Sequence, residues 1–338
     1  MQPGKVPPDI LAKYVFSHLG KSNSSVILGP GLGEDASLIK IGDHVLVAAT
    51  DPITGSISDI GWLAVHINAN DIATFGVPPS WFLSSILLPY GTDEHTLVRI
   101  MKQIDSAANS LDIAVVGGHT EVTEGINRPI IAGFMMGITK KDQYVTTAGA
   151  KIGDELLLTK YAGLEGTAII ATEGESYLES QLDKQLVEDA KALKEQISVV
   201  KEGVHAFQTG YVSAMHDPTE GGIANGIHEI CDASELGVVI DAKSIPIHPS
   251  TIEICRLLDI EALHLISSGC MLISCEKGTA EDVLDALKSV NISSTKIGHF
   301  TKKENKRVIL RNGQKELLPR PTNDALWNAL RSISQGNL

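Results

Sequence analysis

Five short acidic segments, beside glycines or at the ends of apolar runs, constrain this chain more than any other feature. They are Gly33-Glu34-Asp35-Ala36, Thr50-Asp51, Asn68-Ala69-Asn70-Asp71, Gly117-Gly118-His119-Thr120-Glu121 and His216-Asp217-Pro218-Thr219-Glu220-Gly221-Gly222. Mg²⁺ prefers oxygen ligands and is held by a few carboxylates together with phosphates, while glycine lets backbone N–H groups approach phosphate closely. The five segments therefore predict a site for a magnesium-bound nucleotide.

The composition is that of a folded protein that does not attract polyanions. The 338 residues suffice for two domains with their own cores, and 43% are hydrophobic while 20% are charged. The 28 Lys and Arg against 41 Asp and Glu give a formal charge of -13, which repels polyanions from the general surface. Nucleic acid is therefore not an expected partner, and ATP would need Mg²⁺ or local cations to bind.

The N-terminal sequence and the hydropathy predict a cytoplasmic protein with no membrane partner. The first eight residues lack the apolar core of a signal peptide, and no window approaches the roughly 20 apolar residues that span a bilayer. The four cysteines, Cys231, Cys255, Cys270 and Cys275, form no Cys-x-x-Cys pair. We therefore expect buried thiols rather than a zinc site or a disulfide framework.

The apolar pattern predicts an α+β architecture in two domains. A helix is expected over 9–19 with Asp9 as its N-cap. Further helices are predicted over 60–75, 94–110, 183–196, 219–232 and 324–333, and strands over 37–41, 45–49, 81–88, 113–116, 130–138, 155–159, 237–240 and 271–274. The small, turn-forming residues at 147–154 place the boundary between domains 1–150 and 151–338.

Taken in order, the five segments resemble the superfamily of AIR synthase (PurM), the hydrogenase maturation protein HypE, selenophosphate synthetase and thiamine-monophosphate kinase. The stretch from His216 to Gly222 looks most like HypE, whose corresponding stretch reads Asp-Pro-Thr-Arg-Gly-Gly. The resemblance covers nearly the whole chain. It implies a PurM-like fold, in which a strand-rich N-terminal domain binds ATP and pairs with its copy in a homodimer. An α/β-sandwich-like C-terminal domain then adds a glycine-rich turn.

The resemblance also implies which residues bind Mg²⁺ and ATP. The implied metal ligands are Asp35, Asp51, Asp71 and Glu121. The implied nucleotide contacts are Gly33, Asp35, Asp51, Asn68, Asp71, Gly117, Gly118, His119, Thr120, Gly221 and Gly222. Asp71 and Asp217 are the expected catalytic residues.

Several of these residues also have an ordinary structural interpretation. Asp35 suits a solvated turn, and Asp51 and Asp217 are each suited to cap a turn or a helix. Asn68 and Asp71 are three residues apart and share a helix face, from which they can anchor neighbouring elements through hydrogen bonds.

Two positions leave the chemistry open. His119 stands where HypE and thiamine-monophosphate kinase have Asp, and imidazole is a poor ligand for Mg²⁺. The number of metal ions therefore stays open, with Glu121 as a compensating ligand. Thr159-Lys160 resembles the Leu-Thr-Lys turn of selenophosphate synthetases, although a solvated lysine is an equal alternative.

The predicted function is that of an ATP-dependent, ligase- or phosphotransferase-like enzyme. In the superfamily, ATP activates an oxygen of an amide, acid or phosphate-containing substrate by γ-phosphoryl transfer, with positioning and electrostatics supplying most of the catalysis. The acceptor, a small molecule or a partner protein, stays open.

Three alternatives stand beside this prediction. A thiamine-monophosphate-type kinase would have Asp-x-Ser-Asp-Gly in place of Asp217 to Gly221, and a selenophosphate synthetase would have a cysteine before Cys231. A non-catalytic ATP-binding maturation factor is the third. HypE also carries its substrate cysteine at the extreme C-terminus, whereas this sequence ends Ser-Ile-Ser-Gln-Gly-Asn-Leu. We therefore expect no self-carbamoylation in cis.

Overall fold

The computed structural model describes residues 6–54 and 58–335, which form two domains with one β-sheet each. The N-terminal sheet contains β1 (Val26–Leu28), β2 (Ser37–Ile41), β3 (His44–Ile53), β4 (Pro79–Pro89), β5 (Ala114–Thr123) and β6 (Ile130–Lys140). Its strand order is β1-β2-β3-β6-β4-β5, and every pair is antiparallel except β4 and β5. β5 is therefore an edge strand.

Helices cover one face of the N-terminal sheet. α1 (Pro8–Ile10) continues into a π-helical turn, Leu11–Val15, and is followed later by α2 (Ile60–Ala73) and α3 (Glu94–Ser110). α2 packs on β3 and β6, and α3 packs on α2. The side chains between these layers form the core, since the apolar residues of β3 and β4 alternate between a buried and an open face.

The C-terminal sheet contains seven strands. They are β7 (Glu155–Thr159), β8 (Val212–His216), β9 (Leu236–Asp241), β10 (Leu272–Cys275), β11 (Ser294–Lys302), β12 (Arg307–Arg311) and β13 (Gln314–Leu317). Their order is β13-β12-β9-β11-β7-β10-β8, with β9 and β12 parallel.

The C-terminal domain contains eight helices. They are α4 (Leu164–Glu173), α5 (Glu175–Gln181), α6 (Lys184–Ala192), α7 (Val200–Gln208), α8 (Gly222–Ala233), α9 (Pro249–Leu257), α10 (Ala280–Ser289) and α11 (Ala325–Gln335). α8 packs on one face of the sheet and α7 and α10 pack on the other, while α4, α5, α6, α9 and α11 form a separate apolar cluster. Leu156 and Leu158 of β7 pack in a core with α8, while Leu157 packs in another with α7 and α10. The sheet is thus sandwiched between helices, and the α+β, two-domain PurM-like prediction is confirmed. The boundary at 150/151 stays a prediction.

The two domains meet along α2. Every residue of this helix except Trp62 is buried, because the N-terminal sheet covers one side and α7 the other. The side chain of Asn70 donates to the carbonyl of Ile197 at 2.9 Å and accepts from the N–H of Val199 at 2.8 Å. A Cβ on Gly203 would lie 2.1 Å from the carbonyl oxygen of Ala73, so only glycine permits this approach of α7.

Two expected element boundaries are wrong near the predicted site. The segment Gly117 to Glu121 was expected as a turn but lies inside β5, paired with β4. Asp51 was expected at a strand end, yet β3 continues to Ile53 because β6 pairs with it throughout. Both acidic segments therefore belong to the sheet itself.

Other boundaries also differ. The helix expected over 9–19 ends at Val15, and Asp9 lies inside it rather than at its N-cap, since Pro8 occupies the first helical position. The helix expected from residue 219 begins at Gly222, because Gly221 takes a φ of +79°. No helix in residues 6–54 and 58–335 is long and apolar enough to cross a membrane.

Candidate active site

The glycine-rich loop of the N-terminal domain, residues 29–35, contacts β8 and α8 of the C-terminal domain. Oδ2 of Asp35 lies 2.9 Å from Nδ1 of His216, and Nε2 of His216 lies 2.9 Å from Oε2 of Glu229. Gly33 has a φ of +79°, and a Cβ there would lie 3.0 Å from the carbonyl oxygen of Glu229. The glycine therefore permits the loop to lie directly against α8.

His216 is a buried cation at this junction. Burial alone would lower the pKa of its imidazole, but the carboxylates of Asp35 and Glu229 raise that pKa well above its ordinary value. Both ring nitrogens then donate, one to each domain. Asp217 follows directly and is also buried.

Asp35, His216 and Asp217 place one nitrogen or oxygen atom each within 4.8 Å of one another. A protonated imidazole has no lone pair for a metal ion, so His216 is not a ligand while both of its nitrogens donate hydrogen bonds. Only the carboxylates of Asp35 and Asp217 can bind a divalent cation here, since such ions prefer oxygen ligands.

A cleft of about 710 Å³ opens beside the junction, between the two domains. Its walls include the loop from Gly31 to Asp35, the start of α8 and the segment from Arg320 to Asp324. Carboxylates predominate among the charged groups that line the cleft. One of them is Glu34, and burial raises the pKa of its carboxyl group. The cleft has the size of a site for a nucleotide or another small molecule.

Asn68 anchors β3 to α2. Its Oδ1 accepts from the N–H of Asp51 at 2.8 Å, and its Nδ2 donates to the carbonyls of Asp51 at 3.1 Å and Ala64 at 2.8 Å. The side-chain amide is thus used for contacts between elements, as the alternative interpretation expected. Asp71 lies about one turn further along α2 and is 5% exposed.

His119 and Glu121 lie on the other face of the N-terminal sheet from Asp51. The register aligns Asp51 with Gly133, Gly133 with Ser84, and Ser84 with Gly118. Three strand spacings separate Asp51 from Gly118, about 14 Å.

The face of each side chain follows from the alternation along the strands. Asp51 continues the alternation of the buried Val47 and Ala49. His119 and Glu121 pair with Ser85 and Leu87 of β4, which point away from the buried face of that strand. There the two side chains contact each other, with Nε2 of His119 3.0 Å from Oε2 of Glu121. Gly117 and Thr120 lie on the same exposed edge strand.

The glycine turn before α8 is held by an acid that the sequence did not single out. Oδ2 of Asp324 accepts from the N–H of Gly221 at 2.6 Å, and its Oδ1 accepts from Ile266 at 3.2 Å and Leu326 at 2.8 Å. A Cβ on Gly222 would lie 2.5 Å from the carbonyl oxygen of Leu265. Both glycines therefore have a packing role, and Asp324 joins the starts of α8 and α11.

Lys160 is buried rather than solvated. Its Nζ donates to the carbonyls of Gln196 and Ser198, both at 2.7 Å, and lies 2.6 Å from Oε1 of Glu202. It therefore fixes the segment that packs on α2.

The sequence analysis did not single out Glu229 or Asp324. Glu229 lies seven residues after Gly222, about two helical turns, and therefore shares a helix face with it. Asp324 lies at the N-cap of the last predicted helix. These two positions are signals that could have indicated both residues.

Two family models match the chain. The model described as AIR synthase related protein, N-terminal domain, matches residues 33–139, and the model described as AIR synthase related protein, C-terminal domain, matches residues 151–311. Together they cover both sheets apart from β1, β13 and the last residue of β6.

Similar proteins include two curated relatives. A putative hydrogenase expression/formation protein of Methanocaldococcus jannaschii is 27% identical over 314 residues, 91% of each chain. The carbamoyl dehydratase HypE of Cupriavidus necator is 30% identical over 253 residues, 72% of this chain and 69% of that protein. A solved structure of the hydrogenase maturation protein HypE in complex with ATP has a TM-score of 0.71 at 22% identity, covering 96% of this chain and 97% of that one.

Proposed function

The chain belongs to the AIR synthase-related family, and we propose that it is an ATP-dependent enzyme of the HypE type. In this proposal it activates an oxygen of an amide, acid or phosphate-containing substrate by phosphoryl transfer. The observation that carries the proposal is the acidic cleft between the domains, whose lining includes Asp35 and His216 in contact with each other. The ATP bound to a solved HypE relative supports the choice of nucleotide.

The residues present fit Mg²⁺ and a nucleotide. Asp35, Asp51 and Asp71 offer only carboxylate oxygens, and a buried oxygen of Glu165 has no hydrogen-bond partner among residues 6–54 and 58–335. Bound Mg²⁺ would neutralise charge on the phosphates, and hard oxygen donors are what this ion requires.

The protein groups have distinct parts in this proposal. Asp35 and His216 hold the glycine loop against α8. Asp51 and Asp71 would bind the metal from β3 and α2, outside the set of residues that lines the cleft. Asp217 lies beside His216, where it orients the acceptor substrate.

We also propose that the active form is a homodimer built through the open face of the N-terminal sheet. Large apolar side chains are exposed there or along its edge strand; they include Val115, Val116, Val122, Phe134 and Ile138. An exposed apolar sheet with a free edge favours pairing with a second copy. His119 and Glu121 would then face that copy. Light scattering should report about 72 kDa, twice the 36.1 kDa chain, and Phe134→Glu should return it to the monomer.

The test of the nucleotide proposal is calorimetry with Mg-ATP on the wild type, on Asp71→Asn and on Asp105→Asn, an exposed acid of α3. We expect the wild type and Asp105→Asn to bind equally and Asp71→Asn to bind at least about tenfold more weakly, since a charge is lost and almost no volume. Asp51→Asn should behave like Asp71→Asn. If both variants bind Mg-ATP normally but melt earlier, the two acids are structural anchors and the assignment is wrong.

Turnover separates the enzyme from a protein that only binds ATP. Phosphate release measured against carbamoylated thiols, amides and vitamin phosphates identifies the acceptor class. Binding without release in the presence of every acceptor would favour the non-catalytic maturation factor.

A further inference from the structure

Within the described chain, a second cavity between the domains, of about 590 Å³, shares no lining residue with the cleft that contains Asp35. Lys194 and Glu195 line it from the C-terminal domain, while the start of α2 and one face of α3 line it from the N-terminal domain. The α3 residues follow at helical spacing; they are His95, Val98, Arg99, Lys102, Gln103 and Ser106. A cavity of this volume is large enough for a small molecule.

Polar contacts between separate segments fix the walls of this cavity. The carbonyl of Ser58 accepts from Nη1 of Arg99 at 3.3 Å and from Nε2 of Gln103 at 2.6 Å, which ties the start of α2 to α3. Nζ of Lys194 lies 3.2 Å and 3.1 Å from the two carboxylate oxygens of Asp59, an ion pair that joins the two domains. The cavity is therefore preformed.

The lining carries net positive charge, although the chain as a whole has a formal charge of -13. Arg99, Lys102 and Lys194 contribute three positive charges and Asp59 and Glu195 two negative ones, which leaves +1 with the imidazole neutral. Lys194 is paired with Asp59, whereas neither Arg99 nor Lys102 forms an ion pair within residues 6–54 and 58–335. These two cations lie about one turn apart on α3, so they favour an anionic ligand.

Trp62 adds an aromatic side chain to the same lining. Its indole packs against the buried ring of His66, with centroids 4.2 Å apart and an angle of 51° between the planes. Val98 contributes further apolar surface from α3. An aromatic side chain beside two unpaired cations suits a flat ring that bears an anionic group.

We propose that this cavity binds an aromatic phosphate ester, with the ring against Trp62 and the phosphate between Arg99 and Lys102. Arginine and lysine bind phosphate oxygens through charge-assisted hydrogen bonds, and a phosphate ester carries more negative charge at neutral pH than a carboxylate does. A ligand that binds only the folded chain should raise the melting temperature. This site is independent of the Mg-ATP site, because the two cavities are lined by different residues in the described ranges.

The test is calorimetric titration of the full chain with naphthyl phosphate in EDTA, which removes the divalent cations that a nucleotide site requires. Naphthol, which has the ring without the charge, and inorganic phosphate, which has the charge without the ring, are the ligand controls. We expect saturable binding of the ester at one site, at least about tenfold tighter than binding of either control. Added salt should weaken the binding, since exposed charges are screened.

The double variant Arg99→Gln, Lys102→Gln tests the anion contacts. Both side chains are exposed, so the variant should fold, and we expect it to bind the ester at least about tenfold more weakly. Lys288→Gln, at an exposed position on α10, is the matched control and should bind as the wild type does. Trp62→Leu should weaken ester binding by about threefold or more, because the aromatic contact is lost.

Wild-type affinity in the double variant would overturn the inference, and so would the absence of saturable binding to wild type at millimolar ester. If Trp62→Leu melts well below wild type, the double variant decides. The same double variant should bind Mg-ATP normally. Loss of Mg-ATP binding together with ester binding would contradict a separate site, whereas ester binding by a chain that fails to bind Mg-ATP would support it.

Discussion

The carboxylate of Asp35 lies 2.9 Å from Nδ1 of His216, 181 residues away, and this contact joins the two domains in the wall of the cleft. His216 also contacts Glu229 of α8, so one buried imidazole connects the glycine loop to a helix of the other domain. Because hydrogen bonds to an ionised group are about twice as strong as neutral ones, the junction should contribute measurably to stability.

Asp35→Asn should therefore destabilise the protein by about 1 to 2 kcal/mol, since the amide still accepts a hydrogen bond but no longer offsets the charge of His216. Urea unfolding measures the change. Asp43→Asn, at an exposed turn between β2 and β3, is the control and should lie within about 0.5 kcal/mol of wild type. Equal stability of the two variants would show that the junction does not hold the domains together.

Two adjacent glycines of β5 provide a matched pair. Gly117 and Gly118 have φ values of +155° and +154°, but a Cβ on Gly117 would lie 3.7 Å from Leu83, whereas one on Gly118 would lie 2.2 Å from the carbonyl oxygen of Ser84. Gly118→Ala should therefore cost about 1 to 3 kcal/mol more than Gly117→Ala, measured by urea unfolding. If the two variants are equally stable, the glycines serve ligand approach rather than strand packing.

Hydrophobic periodicity predicted most of the N-terminal elements but not the contacts between domains. α3 and β2 have the predicted bounds because each carries one apolar face against a single core. α4 was missed, since it is buried on most sides and shows little amphipathic pattern. The sequence analysis predicts a turn at Gly117-Gly118, whereas the structure places both residues in β5. Glycine is common in turns, and the sequence does not show that β4 lies beside this segment.

The candidate site was predictable only in part. The acidic segments themselves were evident, but the pairing of Asp35 with His216 and of Asp324 with Gly221 joins residues more than 100 positions apart. No local pattern encodes such contacts. Glu165 was missed for the same reason, because the acids that raise its pKa, Asp324, Glu220 and Asp51, come from three other segments of the chain.

The four cysteines should be inert in the native protein. All are buried, and burial raises the pKa of the thiols of Cys231 and Cys255 to about 12 and that of Cys275 to about 11, and raises that of Cys270 as well. Since the thiolate is the reactive form, iodoacetamide at neutral pH should modify none of them, and all four should react in urea. Intact mass spectrometry counts the adducts. Rapid native labelling of any one cysteine would reopen thiol chemistry at that position.

His66 should make the protein sensitive to acid. Its ring is buried beside Trp62, with ring centroids 4.2 Å apart, and neither ring nitrogen has a hydrogen-bond partner within the described ranges. Burial, and then the charge of Lys160, lower its pKa from 6.5 to about 4. The unfolded chain therefore binds the proton more readily, so this contribution to stability is fully present above about pH 6.5 and is lost as the pH falls through about 4.

The difference between a pKa of 6.5 and one of about 4 corresponds to roughly 3 kcal/mol of unfolding free energy. His66→Phe removes the titrating group and keeps a ring of similar size beside Trp62. Urea unfolding across this pH range should show a smaller loss of stability in His66→Phe than in wild type, with similar stability near neutral pH. His44→Phe, at an exposed position on β3, should retain the wild-type profile. Identical pH profiles for wild type and His66→Phe would mean that acid sensitivity arises from other groups.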